Sequence, residues 1–237
     1  MKTFFLLILL LISTAQAETL NSFGAMSFIN ITKNLNPRYD LTLYHYDIFA
    51  FSNQEFQGRS YHSGDTQTYF QTALTYRYLP ELHFSLGHIY SRNNPFDDDT
   101  FQNEHRIFQQ VVYSQNFETF RLSHRVRLEE RFVDNRSKDR TDFRTRLRYQ
   151  LGLKKTLKPA TPQRPEIYFN TYNEIYLSTT GERNAFFSDD WLYAGLGITT
   201  KRLGSFELGP LLQYSVVNQE KDQRFFYVVQ LGWLIKF

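Results

Sequence analysis

The carboxy-terminal segment constrains the fold of this chain more than any other feature. Apolar or aromatic residues occupy every second position from Tyr227 to Phe237, and Gln230, Gly232 and Lys236 stand among the residues between them. A period of two predicts a β-strand with one apolar face. An apolar strand face that ends on an aromatic carboxy-terminus is typical of the last strand of a transmembrane β-barrel.

The amino-terminal segment predicts export. Lys2 precedes an apolar run from Phe4 to Ile12, and the A-x-A sequence that ends at Ala17 precedes Glu18. This order of charge, apolar core and small residues is typical of a secretory signal peptide. We therefore expect residues 1–17 to be cleaved and residues 18–237 to form one outer-membrane β-barrel domain.

Composition excludes several alternatives. The mature part contains no apolar stretch of ~18 residues, which excludes a helical membrane protein. The chain contains no cysteine, so disulfides, thiolate metal sites and thiol catalysis are excluded as well. The mature length suits a single β-domain.

Eleven segments of the chain have strand character, and the connections between them tend to alternate between short and long. The segments are roughly 22–32, 38–52, 67–79, 82–92, 103–114, 118–132, 140–153, 166–179, 190–201, 205–217 and 224–237. Residues 154–165 carry three prolines and lie where a short turn is expected, so we interpret them as a rigid excursion.

An odd number of strands conflicts with the even number expected of a bacterial barrel whose termini lie at one end. Two alternatives remain open. Segment 22–32 enters from inside the barrel and the wall has ten strands, or the stretch from Phe56 to Tyr61 belongs to a further strand and the wall has twelve. We predict an all-β, antiparallel, up-and-down transmembrane barrel of 10 to 12 strands, and prefer twelve.

Arginines separate onto one face of two neighbouring segments. The alternate positions carry Arg121, Arg125, Arg127 and Arg131 in one segment and Arg144, Arg146 and Arg148 in the next. If all seven faced lipid, at ~2–4 kcal/mol each, the cost of about 14–28 kcal/mol would exceed the ~5–15 kcal/mol by which proteins are stable. We therefore predict that they face a polar interior.

Carboxylates on the same face predict an ion-pair network. A six-residue loop from Asp134 to Asp139 would place Glu129 opposite Arg144 and Arg131 opposite Asp142. The predicted network consists of Glu104, Arg106, Glu129, Arg131, Asp142, Arg144 and Glu174.

The same register predicts an excess of positive charge. It places Arg127 beside Arg146 and Arg125 beside Arg148, and these four arginines would attract anions in a narrow passage. Alternatively, Glu104 and Glu174 neutralise the excess and the interior is filled. The second alternative is slightly preferred, because ten to twelve strands lie between ~8-strand barrels that side chains fill and open 16-strand porins.

Four stretches carry a family resemblance: Asn103–Gln110, Arg125–Phe132, Arg144–Tyr149 and Tyr172–Leu177. In order and spacing they resemble the bacterial family known as domain of unknown function 2490, across most of the mature chain. That family looks like outer-membrane β-barrels. The resemblance therefore implies this fold and a location in the outer membrane of the Gram-negative envelope, and it implies no substrate.

Catalytic and metal-binding motifs are weak. His83 and Ser85 resemble the His-x-Ser pair of outer-membrane lipid hydrolases, but Leu86 and Gly87 stand where that family has Asn-Gly. Two strand residues at this spacing share a face by geometry alone. The run from Asp97 to Asp99 lacks the spacing of a calcium loop. We expect no enzyme activity, no metal and no cofactor, and the export signal argues against nucleic acid as a partner.

The leading functional hypothesis is a porin-like barrel, either a narrow anion-preferring pore or a channel that binds small anionic solutes. The second is a closed structural barrel whose loops bind an extracellular or envelope partner, and the third is an outer-membrane lipid hydrolase. Other expected partners are outer-membrane lipid and the barrel-assembly machinery. The terminal strand resembles the signals which that machinery recognises, at Gln230, Gly232, Trp233, Ile235 and Phe237.

Overall fold

A computed structural model of the chain describes residues 18–51, 53–56, 58–94, 101–135, 139–181, 185–218 and 220–237. The segment predicted to be a signal peptide, residues 1–17, lies outside these residues. Among the described residues there is no helix long and apolar enough to cross a membrane.

The described residues form thirteen strands. Their bounds are β1 Thr19–Asn36, β2 Tyr39–Ala50, β3 Gln54–Phe56, β4 Arg59–Tyr61, β5 Gly64–Arg77, β6 Leu82–Asn93, β7 Gln102–Asn116, β8 Phe120–Asn135, β9 Arg140–Lys158, β10 Glu166–Thr180, β11 Phe187–Thr200, β12 Gly204–Val216 and β13 Gln223–Lys236.

Eleven of these strands close into a barrel, in the order β1, β13, β12, β11, β10, β9, β8, β7, β6, β5 and β2. Each of the eleven segments identified in the sequence corresponds to one wall strand. All neighbours are antiparallel except β1 and β13, which pair in parallel from Thr19 opposite Gln223 to Thr32 opposite Lys236. The all-β barrel prediction is confirmed, and the wall is mixed instead of wholly antiparallel.

The expectation of an even number of wall strands was wrong, because it assumed that both termini lie at one end of the barrel. β1 starts at one end and β13 finishes at the other, so a parallel pair closes an odd number of strands. The preferred number of twelve is therefore incorrect. The stretch from Phe56 to Tyr61 is part of a separate hairpin of β3 and β4, and β1 lies in the wall.

The two ends of the barrel differ in their connections. The turn end carries the final residue Phe237 and the connections 37–38, 78–81, 117–119, 159–165 and 201–203, whereas the loop end carries the start of β1 and the remaining connections, most of them longer. The proline-rich stretch is shorter than predicted, because β9 continues to Lys158. The Lys201 side chain donates a hydrogen bond to the carbonyl of Pro162 at 3.0 Å.

Residues alternate between an interior face and an outer face along each wall strand. In β13 the interior positions Phe226 and Val228 are buried, whereas Val229 and Leu231 on the outer face are 55% and 53% exposed. This matches the apolar outer stripe that the sequence predicts. The buried hydrophobic cluster inside the barrel includes Met26, Tyr46, Ile89, Phe108 and Tyr193.

The closing pair of strands approaches closely at one glycine. Phe28 of β1 lies directly opposite Gly232 of β13. A Cβ atom on Gly232 would overlap the ring of Phe28. The glycine therefore makes room for the phenylalanine ring at the seam between the first and last strands.

Candidate functional site in the barrel interior

Four neighbouring strands, β7 to β10, bring the predicted charged residues together. Strand alternation directs the even-numbered side chains of β7, β9 and β10 and the odd-numbered side chains of β8 to the interior. All twelve charged residues predicted from the sequence to face the interior lie on this face: Glu104, Arg106, Arg121, Arg125, Arg127, Glu129, Arg131, Asp142, Arg144, Arg146, Arg148 and Glu174.

The predicted register between β8 and β9 was wrong by two residues. Glu129 lies opposite Arg146, and Arg131 lies opposite Arg144. The ladder continues to Asn135 opposite Arg140, so the connection is 136–139 and not the six residues assumed. A shift of two keeps every side chain on its predicted face, because the strand period is two.

Glu129 is the centre of the charged cluster. Its side chain is 0% exposed, and among the described residues the guanidinium groups of four arginines lie within 4 Å of its carboxylate. Arg146 and Arg148 approach to 2.7 Å, Arg127 to 3.7 Å and Arg106 to 3.8 Å. A buried carboxylate is thereby neutralised by surrounding cations, as burial of a charge requires.

Two further glutamates extend the cluster along the wall. Glu104 accepts hydrogen bonds from Arg106 and Arg131. Glu174 accepts from Arg148 Nε at 2.8 Å and from Arg125 Nη2 at 2.6 Å. These contacts link β7, β8, β9 and β10 through one continuous set of ion pairs, which we call the interior network.

The sequence predicted that some arginines are paired with carboxylates and that four others are in excess. The contacts in the structure do not divide the arginines in this way. Arg125, Arg127, Arg146 and Arg148 each lie within 4 Å of a glutamate, so none of the four stands apart. Asp142 contacts two other arginines, Arg140 at 2.7 Å and Arg144 at 3.4 Å. Within the described residues the interior network contains six arginines and three glutamates, so the excess of three positive charges belongs to the network as a whole.

Within the described part of the chain, the hydrogen bonds of the Arg127 side chain go to neutral amides and not to carboxylates. Its guanidinium donates to the amide oxygens of Gln110 at 2.7 and 2.9 Å and of Gln71 at 3.0 Å. It also lies 4.2 Å from the centre of the Phe108 ring, a cation–π contact. These partners were not predicted from the sequence, although Phe108 and Gln110 follow Arg106 with the period of two that marks one strand face.

A second aromatic partner that sequence analysis missed is Tyr176. The guanidinium carbons of Arg148 and Arg146 lie 4.4 and 4.9 Å from the centre of its ring. Its hydroxyl accepts a hydrogen bond from Arg148 Nη2 at 3.0 Å. The signal was present, because Tyr176 follows Glu174 on the same face of β10.

A cavity of about 640 Å³ lies in the barrel interior beside the network. Eight arginines and three acidic residues of the described chain contribute to its wall: Arg106, Arg125, Arg127, Arg131, Arg144, Arg146, Arg148 and Arg224, with Glu174, Asp189 and Glu207. Tyr44, Tyr172 and Trp191 also line it. Among the described residues, the Nε atoms of Arg125 and Arg144 are buried without a hydrogen-bond partner. The cavity therefore presents net positive charge.

The remaining predicted residues lie away from this cavity or only border it. His83 and Ser85 share the interior face near the turn end, and the Ser85 hydroxyl lies 2.9 Å from that of Thr75. Asp97–Asp99 lies outside the described residues. In the terminal strand, Gln230 and Gly232 face the interior while Trp233 and Ile235 face outward. Their role in assembly stays a prediction.

The fold and interior together define a closed β-barrel with an ion-paired, arginine-rich interior. The chain belongs to the family described as protein of unknown function (DUF2490), whose model matches residues 39–224. The family resemblance seen in the sequence is thus confirmed. No curated protein sequence matches the chain.

Among solved structures, the chain is similar to LpxR from Salmonella typhimurium. The sequences are 10% identical, the match covers 84% of each chain, and the TM-score is 0.48. LpxR is an outer-membrane enzyme, and this finding contradicts the prediction that the chain is not an enzyme. The likeness is too distant to transfer a reaction or a residue.

Proposed function

We propose that this protein is a β-barrel of the bacterial outer membrane whose interior binds small anionic solutes. The outer face supports the membrane location. Leu208, Val229 and Leu231 of adjacent strands are each more than half exposed on that face. A contiguous apolar wall of this kind is unfavourable in water and favourable against hydrocarbon.

The proposal that the solutes are anionic rests on one observation, the excess of arginine around the interior cavity. Guanidinium groups stay charged at every accessible pH, and a low-dielectric wall concentrates their field. A guanidinium group can donate paired hydrogen bonds to an anion with several acceptor oxygens. The cavity volume of about 640 Å³ lies in the range of small-molecule sites.

A binding interior fits this geometry better than an open pore. Glu104 and Glu129 have side chains that are 0% exposed, and Arg127 is 4% exposed. The network also reaches across the interior, since Arg127 of β8 donates to Gln71 of β5. These contacts fill part of the barrel cross-section, so the passage beside them is narrow.

Titration calorimetry on the purified barrel, with inorganic phosphate and with glucose 6-phosphate as probes, tests this proposal. We expect saturable binding of at least one probe and at least fivefold weaker binding by Arg127→Gln. Arg202→Gln, which removes an exposed arginine in a turn, serves as the control and should bind like the unmodified protein. Absence of binding by both probes would overturn the proposal.

Planar-bilayer recordings separate the binding interior from the pore. We expect little or no steady conductance in salt solution. A large conductance with anion selectivity would replace the binding interior with an anion-preferring pore, whereas a closed barrel that binds neither probe would support the second candidate below.

The second candidate is a closed structural barrel that binds an extracellular or envelope partner at its loop end. The hairpin of β3 and β4 favours it. Phe56 and Tyr61 of the hairpin form a buried cluster with Leu20 of β1. The Arg224 guanidinium lies 5.3 Å from the centre of the Tyr61 ring. The hairpin is thereby held against the loop end, where it forms part of the surface offered to a partner.

A further inference from the structure

A row of polar side chains crosses the outer face of four neighbouring strands. Asp47 of β2 lies opposite Thr68 of β5, Thr68 lies opposite Arg92 of β6, and Arg92 lies opposite Asn103 of β7. Each residue lies within four positions of the loop end of its strand. We call these four residues the outer polar row.

The outer face beside the outer polar row carries imidazole and aromatic side chains. Towards the turn end, the next outward residues are His45 on β2, Phe70 on β5, Tyr90 on β6 and His105 on β7. On β12 and β13, Tyr214 and Tyr227 occupy outward positions at similar distances from the loop end. Leu74 and Leu86 lie beyond Phe70 and Tyr90, so the apolar wall begins farther towards the turn end on β5 and β6.

Contacts hold the side chains of the row in place. The Arg92 guanidinium lies 3.7 Å from the centre of the Phe101 ring. The Asn103 amide oxygen accepts a hydrogen bond from Tyr90 at 3.0 Å, which leaves the amide N–H groups as donors. The Asp47 carboxylate lies 2.9 Å from the His45 ring. Ordered polar groups bind a ligand at a smaller entropic cost than mobile ones.

A hollow in the surface adjoins the row. It has a volume of about 460 Å³, and its wall includes Thr68, Tyr90 and Arg92. Thr68 and Arg92 of the row thus line the hollow, together with Asp65, Gln67, Tyr90 and Asn94. A guanidinium at its edge matches the planar, multi-oxygen geometry of a phosphate group.

We propose that the outer polar row binds the phosphorylated sugar headgroup of a glycolipid in the outer leaflet. The inference rests on the proposed outer-membrane location. Arg92 binds a phosphate, while Asp47, Thr68 and Asn103 bind hydroxyl groups of the sugar. The apolar wall below the row, at Phe70, contacts the acyl chains of the same lipid.

The length of the row favours a sugar headgroup over a simple phospholipid. Three interstrand steps of about 4.8 Å separate Asp47 from Asn103, so the row spans about 14 Å. A single phosphodiester headgroup engages only one part of this span. A headgroup of linked sugars with phosphate substituents reaches the cation and the hydroxyl-binding groups together.

Equilibrium binding in detergent micelles tests the proposal, with three probes: lipid A, the same glycolipid with its phosphates removed, and phosphatidylglycerol. We expect lipid A to bind at least tenfold more tightly than either of the others. Arg92→Gln should weaken lipid A binding at least tenfold, and Asn103→Ala at least threefold. Lys33→Gln, which removes an outward cation near the turn end, should leave lipid A binding unchanged.

Heat-modifiable gel migration establishes that each variant is folded. Sedimentation detects a dimer if two copies of the barrel associate through this face. Equal binding of all three probes, unchanged lipid A binding by folded Arg92→Gln, or a dimer that Arg92→Gln dissociates would each overturn the headgroup site. Phosphate binding in the interior is measured separately and should be unaffected by Arg92→Gln. Failure of the outer site is therefore distinguishable from failure of the proposed interior function.

Discussion

Arg146 donates two hydrogen bonds to the Oε2 atom of Glu129, from Nε at 3.0 Å and from Nη2 at 2.7 Å. The two residues are direct cross-strand neighbours in β8 and β9. Two N–H groups of one guanidinium therefore converge on one carboxylate oxygen, a stronger arrangement than a single contact between exposed charges.

Replacing Glu129 with Gln should destabilise the barrel by about 3–5 kcal/mol, because it leaves buried arginines around a neutral side chain. Urea unfolding in detergent micelles measures the free energy of unfolding. The matched control is Glu130→Gln, which makes the same change at the next residue on the outer face and should alter stability by less than about 1 kcal/mol. Equal losses for the two variants would mean that the network does not stabilise the fold.

Arg146→Gln and Arg127→Gln should differ in stability although both residues contact Glu129. Loss of Arg146 breaks a close buried pair and should cost about 3 kcal/mol or more. Loss of Arg127 removes hydrogen bonds to neutral amides and should cost about 1 kcal/mol. The same unfolding measurement checks this difference, and the reverse order would contradict it.

Gly232→Ala should destabilise the closing seam by about 1–3 kcal/mol, because the added methyl overlaps the ring of Phe28. Phe28→Leu in the same chain should restore part of this loss by making room. A double-mutant cycle from unfolding measurements gives the coupling between the two positions. Independent, additive effects would show that the two side chains do not meet.

Cysteine pairs test the parallel closure directly, since the chain has no cysteine of its own. Ser27 of β1 lies opposite Leu231 of β13 on the outer face. Cysteines at these two positions should form a disulfide on mild oxidation, detected by a mobility shift on non-reducing gels. Cysteines at Ser27 and Val229, two residues out of register, should cross-link far less. Preference for the second pair would exclude the register described above.

The sequence predicted the wall strands well because each has a face with a period of two and a turn at each end. The positions of Arg127 and Glu129 inside the barrel followed from the same alternation. The pairing of Glu129 with Arg146 did not follow, since a change of two residues in the loop preserves both faces and both charge patterns. The burial of these charged side chains also depends on strands that are distant in sequence. Gln71 of β5, for example, accepts a hydrogen bond from Arg127 of β8.

The strand count shows a different limit. Alternation identified eleven segments, but nothing in the local pattern of Thr19–Asn36 states which neighbour it takes. Its parallel pairing with β13 is set by closure of the whole wall. Because a parallel pair closes the wall, the barrel has an odd number of strands, which the expectation of an even number excluded.

The parallel seam also bears on the order of folding. In every other wall pair the two strands are near each other in sequence. In the closing pair, Thr19 lies opposite Gln223, 204 residues later. Because forming contacts between distant residues carries a larger loop-closure entropy, a sheet can grow hairpin by hairpin while its first edge stays open. Closure then waits for the last strand, and the rate at which β1 meets β13 is expected to set the rate at which the finished barrel appears.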